Sequence, residues 1–160
     1  MARMLDQAEG FSEAYPAVAD SVPSARSALT EFAAEAGAKG ERLEAIRLAA
    51  SEAITNGVVH AYRGSRGSIH VAAAHTPGEL WVLIGDDGTG LRPRGPHSGL
   101  GLGLALIAQL ADEFEILSRS SGGTELRMQF KLGDGTRPAG RACPERDQVR
   151  GSTSSAFAPA

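Results

Sequence analysis

Residues 41–62 carry the longest helical pattern in the chain, and its apolar stripe is built mostly from small side chains: Ile46, Ala49, Ala50, Ala53, Gly57, Val58 and Ala61. Residues at this spacing share one face of a helix. A face so narrow lets the helix come close to its support, and a sheet is the surface that suits it. The flanking segments supply strands. Residues 11–18 alternate through Phe11, Glu13 and Tyr15 and predict an edge strand, since Pro16 argues against a central one. Residues 68–75 and 79–85 predict a hairpin joined at Thr76-Pro77-Gly78, and residues 114–119 and 124–131 a second around Ser120-Ser121-Gly122-Gly123.

Two further helices complete the pattern. Ser21-Val22-Pro23-Ser24 is a start signal, and residues 25–36 put Ala28, Leu29, Phe32 and Ala36 on one face, with Gly37 and Gly40 read as stops. Residues 63–67 form a turn, residues 91–98 a loop with two prolines and a glycine, and residues 100–111 an apolar helix. The order is strand, two helices, hairpin, loop, helix, hairpin. It predicts an α/β two-layer sandwich, a mixed, largely antiparallel sheet covered by helices on one face.

A chain of 160 residues suits one domain, expected over residues 11–132. Residues 1–10 read as a flexible leader. Residues 133–160 have only Val149 and Phe157 as large apolar side chains and read as a disordered tail. The net charge of −3 gives no reason to propose nucleic acid or an acidic membrane as partner. A lone Cys143 excludes an intrachain disulfide and a cysteine zinc site, and fits a reducing cytoplasm. The N-terminus lacks the apolar run of a signal peptide, and residues 99–111 are too short and glycine-rich to span a bilayer. The expectation is a soluble cytoplasmic protein.

Three clusters carry chemistry. Glu52, Asn56 and His60 follow one another at i, i+4 and i+8, so they share a face beside the small-residue stripe. Mg²⁺ takes oxygen ligands, keeps several waters and leans on substrate phosphates, so the Asn56 amide oxygen can be its protein ligand. Glu52, one turn away, can accept a proton from an attacking hydroxyl. Taken alone, the same residues describe a solvated polar face, and His60 a capping or packing residue near the helix end.

The second cluster is Asp86-Asp87-Gly88-Thr89-Gly90, which follows an apolar strand. A carboxylate there can accept from an exocyclic amine such as that of adenine, with Gly88 and Gly90 letting the backbone turn beneath the base. An Asp-Gly hairpin turn has the same composition. The third, Gly99-Leu100-Gly101-Leu102-Gly103-Leu104, opens an apolar helix whose free amides and dipole would face phosphates. Its spacing differs from the dinucleotide fingerprint, and no Gly-Lys-Ser/Thr marks a P-loop. Arg92, Arg94 and His97 lie on the loop between the glycine clusters, where a cation could stabilise charge during transfer or simply be solvated.

Together these residues resemble the GHKL (Bergerat) ATP-binding fold, and more narrowly the anti-sigma-factor serine/threonine protein kinases. The family's N box stands here as Ser51-Glu52-Ala53-Ile54-Thr55-Asn56-Gly57-Val58-Val59-His60-Ala61-Tyr62. Its Asp-x-Gly-x-Gly box matches Asp86, Gly88 and Gly90, and its Gly-x-Gly-x-Gly-Leu box matches Gly99, Gly101, Gly103 and Leu104. Its Gly-Gly-Thr box matches Gly122, Gly123 and Thr124, and Ser24-Ala25-Arg26 opening a helix is also similar. The resemblance covers residues 11–132.

It implies ATP and Mg²⁺ as cofactors, Glu52 as general base, Asn56 as magnesium ligand, and Asp86 as the adenine contact with Thr124 in support. His60 and the glycine boxes with Leu104 would complete the nucleotide site. The family phosphorylates a serine on an anti-anti-sigma (antagonist, STAS-domain) protein, silences a sigma factor, and suggests a homodimer. The lid between Gly90 and Gly99 is eight residues long, shorter than in several relatives. The alternative is a nucleotide-gated regulatory binding protein without significant kinase activity. A coupled ATPase should carry a large further domain, and a histidine-kinase catalytic domain an acceptor-histidine hairpin that residues 1–23 are not expected to supply.

Overall fold

A computed structural model describes residues 10–60, 66–88, 100–120 and 122–133. The elements are β1 (Gly10–Pro16), α1 (Ser21–Glu35), α2 (Gly40–His60), β2 (Ser68–Thr76), β3 (Glu79–Asp86), α3 (Leu100–Leu110), β4 (Glu113–Ser118) and β5 (Thr124–Lys131). The strands form one sheet in the order β1-β2-β3-β5-β4. All four pairings are antiparallel, so the parallel component of a mixed sheet is not found among the described residues.

Alternation along the strands decides which face the helices cover. Ile69, Val71 and Ala73 of β2, Leu80, Val82 and Ile84 of β3, and Leu126, Met128 and Phe130 of β5 are buried together. They meet Ala25, Leu29 and Ala33 of α1, Ile46, Ala49, Ala50, Ala53 and Ile54 of α2, and Ile107 of α3. Burial of a branched aliphatic or aromatic side chain is worth roughly 1.5–3 kcal/mol, so this layer holds the two halves together. The small-residue stripe does what its size predicts. A Cβ built on Gly57 would stand 2.7 Å from Cδ1 of Ile69, so α2 lies almost in backbone contact with β2.

Local chemistry explains most boundaries, and it shifts some expectations. The edge strand ends at Pro16, not residue 18, because Val18 donates back to the Pro16 carbonyl and the chain turns. Helix α1 starts at Ser21, four residues before the expected start, and accommodates Pro23 in its first turn, where amides lack intrahelical partners. Its end is a Schellman motif: Gly37, at φ +103°, donates to Ala34, and Ala38 donates to Ala33. Gly40, expected as a second stop, is instead the first residue of α2. At the β2–β3 tip Pro77 presets one φ and Gly78 supplies the positive one, +83°. Among the described residues no helix is long and apolar enough to cross a membrane. The expected leader over residues 1–10 lies outside the described residues except for Gly10, which opens β1, and the expected tail over residues 133–160 lies outside them beyond Gly133.

Candidate functional site

Two groups of predicted residues are assembled on the helix-covered side of the sheet. The first joins α2 to α3. Glu52 and Asn56 are half-buried on one face of α2. Gly103 of α3 lies against both: a Cβ there would be 2.9 Å from Oε2 of Glu52, 3.3 Å from Nδ2 of Asn56 and 3.6 Å from its Oδ1. Only a residue without a side chain leaves the carboxylate and the amide unobstructed at this crossing. Gly101 lies in the first turn of α3, and Leu104 packs against the core and anchors the helix.

The second group joins β3 to β5. Asp86 ends β3, the central strand, and its side chain shares the buried face with Val82 and Ile84. It is 8% exposed and Thr124, at the start of β5, is 7% exposed. The Gly88 amide donates to Oδ1 of Asp86 at 2.9 Å, closing a tight loop. Burial pushes the Asp86 carboxyl above its ordinary 3.8. Backbone hydrogen bonds from Gly88 and Thr124 pull the other way, Asp87 adds a push upward, and Arg119 opposes it. The glycine pair of the β4–β5 turn fits beneath this loop. Gly122 and Gly123 have φ of +91° and +87°, and a Cβ on Gly123 would fall 2.0 Å from the Asp86 carbonyl oxygen. No side chain can stand there.

Both groups sit on the same layer because α2 packs on β3. One supplies a carboxylate and an amide, the other a buried carboxylate ringed by backbone. His60 ends α2, and nothing is described of its side chain. Gly90, Gly99 and the lid residues Arg92, Arg94 and His97 lie outside the described residues.

The profile of the histidine kinase-like ATPase domain matches residues 15–130. The chain belongs to that family. The anti-sigma F factors of Clostridium acetobutylicum and Caldanaerobacter subterraneus are 26% and 28% identical to it, over 68% of this chain each and 83% and 84% of theirs. A crystal structure of the RsbU and RsbW domains of Rv1364c from Mycobacterium tuberculosis is similar with a TM-score of 0.60 and 28% identity. That match covers 76% of this chain and 31% of the other, so this protein spans under a third of that chain's length.

Membership implies ATP binding, and the residues fit it. Asp86 offers a buried acceptor, and Gly88, Gly122 and Gly123 bring backbone without side chains of its own beside it. The fit to a divalent cation rests on Asn56. Its amide oxygen is the atom a cation would take, and its amide nitrogen is buried with no hydrogen-bond partner among the described residues. Among the described residues no three His, Cys, Asp or Glu side chains gather into a metal cluster. The Asn56 amide oxygen is compatible with Mg²⁺, an ion that takes one or two protein oxygens and completes its shell with phosphates and water.

The sequence reading missed one feature of the site. Asp87, His70 and Arg119 meet on the opposite side of the Asp86 loop. Nothing in their spacing announces it, because the three come from three separate strands or turns.

Proposed function

We propose that this protein is an ATP-dependent anti-sigma factor serine kinase, which phosphorylates an antagonist protein and sequesters a sigma factor. One observation supports the reading: α3 presents Gly103 to Glu52 and Asn56, as expected if the glycine box and the helix-borne pair serve one site. The antagonist and sigma roles come from the kind of protein the relatives are named to be. Cytoplasmic work follows from this reading, because a sigma factor acts there, and assembly as a homodimer is proposed with it on the resemblance of the sequence boxes alone. Residues 11–132 are proposed as the kinase domain.

In this reading Asp86 accepts from the adenine amine, with Thr124 beside it, and the glycine turns admit the base. Mg²⁺, held by Asn56, would neutralise the phosphates. Glu52 accepts the proton of the antagonist's serine hydroxyl as the serine oxygen bonds the terminal phosphorus and the bond to the β-phosphate oxygen breaks. ADP leaves, and phosphoserine remains. Glu52 is one turn from Asn56, within reach of a hydroxyl aligned on a phosphate held there.

The test is phosphate transfer from labelled ATP to a purified antagonist. Glu52→Gln should keep nucleotide binding and lose transfer by roughly a hundredfold or more, the range of a positioned acid–base group. If the unaltered protein transfers nothing to any antagonist yet releases sigma in response to nucleotide, it is a nucleotide-gated binder. If Glu52→Gln transfers as well as the parent, another group takes the proton.

A further inference from the structure

We propose that Arg119 is a positioning residue for base recognition, acting through the carboxylate of Asp87. The proposal rests on Asp86 being the base contact. Asp86 ends β3 and Asp87 follows it, and the two side chains part. Asp86 turns into the buried layer, whereas Asp87 is 47% exposed on the far side. Asp87 is gripped there from both flanks. Nη1 of Arg119 donates to its Oδ1 at 2.7 Å, and Nε2 of His70 lies 2.8 Å from its Oδ2.

These partners come from different neighbours of the loop. His70 stands on β2, opposite Gly85 of β3. Arg119 follows β4 and closes the turn that carries the glycine pair: its amide donates to the Gly123 carbonyl at 3.2 Å, and its carbonyl accepts from Gly122 at 3.0 Å. The same Nη1 also reaches the Asp86 carbonyl at 3.5 Å. That oxygen is the one lying against Gly123.

Arg119 therefore ties three things into one unit: the glycine turn, the outward carboxylate, and the peptide between Asp86 and Asp87. The tilt of that peptide sets where the Asp86 carboxylate points. Recognition geometry tolerates about 0.5 Å or 10–20° before affinity suffers. An arginine 33% exposed, paired with a carboxylate 47% exposed, contributes little to global stability. Its value lies in holding direction. Gly85 lies beside this pair, and a Cβ there would stand 3.6 Å from Nη1 of Arg119, in ordinary van der Waals contact.

The experiment is calorimetric titration of the full chain with ADP and with GDP, with melting temperature and steady-state transfer measured alongside. The variants are Arg119→Met, Arg119→Lys, Asp87→Asn, Asp86→Asn and the double variant Arg119→Met/Asp87→Asn. Arg119→Met should weaken ADP binding by roughly three- to tenfold and narrow the preference for ADP over GDP. KM for ATP should rise while kcat at saturation holds, and the melting temperature should barely move. Lysine should restore part of the affinity, because it keeps the charge. The double variant should lose no more than the worse single one.

If Asp86→Asn weakens ADP binding and Arg119→Met does not, the positioning role is overturned and base recognition stands. If neither variant changes ADP binding, base recognition fails and the positioning role falls with it. Losses that multiply in the double variant would mean that Arg119 does not act through Asp87. An equal loss for ADP and GDP together with a large fall in melting temperature would reduce Arg119 to a structural residue.

Discussion

Asp86 is expensive where it stands. Its carboxyl is nearly buried, and desolvation outweighs the help of two amides, so its proton affinity is higher in the folded chain than in the unfolded one. The folded state thus binds more protons over the window that opens at 3.8 and closes at the raised value. Stability is greatest below that window and falls as pH rises through it. At neutral pH the nucleotide-free protein bears the full cost. Asp86→Asn should therefore hold or raise the melting temperature of the free protein at pH 7, and flatten its fall across that acid window. The same change should weaken ATP and ADP binding together while sparing GTP. Equal loss of GTP, or loss of ATP alone, would remove Asp86 from base recognition. Gly103→Ala makes a similar separation. Alanine at an interior helical position gains roughly 1 kcal/mol over glycine. Its Cβ, however, would press within 2.9 Å of Oε2 of Glu52. Thermal stability should hold or rise, while transfer should fall by roughly tenfold or more, since small misplacements at a reacting centre are costly. Unimpaired transfer would show that the crossing has slack.

At the scale of elements, α2 is fixed to the sheet at one end by Gly57 on Ile69 and is tied at the other by Arg42. That arginine pairs with Asp112 at 3.3 Å and donates to the Leu110 carbonyl at 3.5 Å, so the start of α2 meets the end of α3. Asp112 also accepts from the Lys131 amide at 2.8 Å, which brings β5 into the same knot. Helices α2 and α3 thereby keep the relation that presents Gly103 to Glu52. Gly57 tests the close end. Gly57→Ala should be near neutral in denaturant unfolding, because the helical gain of roughly 1 kcal/mol is offset by moving the buried Ile69 tip. Gly57→Leu has no such room and should cost roughly 2 kcal/mol or more as α2 lifts from β2. A leucine variant as stable as its parent would mean that the spacing of helix and sheet is not set here. The small-residue stripe was legible before the fold was known. The start of α1 was not, because the start signal spreads over Ser21 to Ser24, whereas the helix begins at Ser21 behind Asp20, which makes no side-chain capping bond, and Val22 packs against the core.

For the whole molecule, the buried layer is complete by Phe130, and Leu132, packed at its margin, donates to the Gly78 carbonyl at 2.7 Å. Truncation after Gly133 should leave the melting temperature within a degree or two and ATP affinity unchanged, since the residues removed include only two large apolar side chains, Val149 and Phe157. A large fall in either quantity, read by thermal unfolding and nucleotide titration, would place part of the tail within the folded domain. The strand order does what no single element can. With β5 inserted between β3 and β4, the last residue of β3 and the first of β5 fall at one end of the sheet, and the Gly122-Gly123 turn slides under Asp86.

What this chain's sequence determined by itself is local. The Schellman glycine after α1, the Pro77-Gly78 tip, the alternation of β2 and β3 and the one-turn spacing of Glu52 and Asn56 follow from backbone sterics and side-chain period, which act over a few residues. The four glycine and acid boxes could be recognised for the same reason, as short strings with fixed spacing. Tertiary structure decided which of those strings touch. Gly103 reads only as a helix-opening glycine until α3 is laid across α2, and Asp87, His70 and Arg119 read as ordinary surface charges until β2, β3 and the β4–β5 turn converge. Contacts between distant segments depend on the register of the whole sheet and the depth of the whole core, and no window of sequence carries that information.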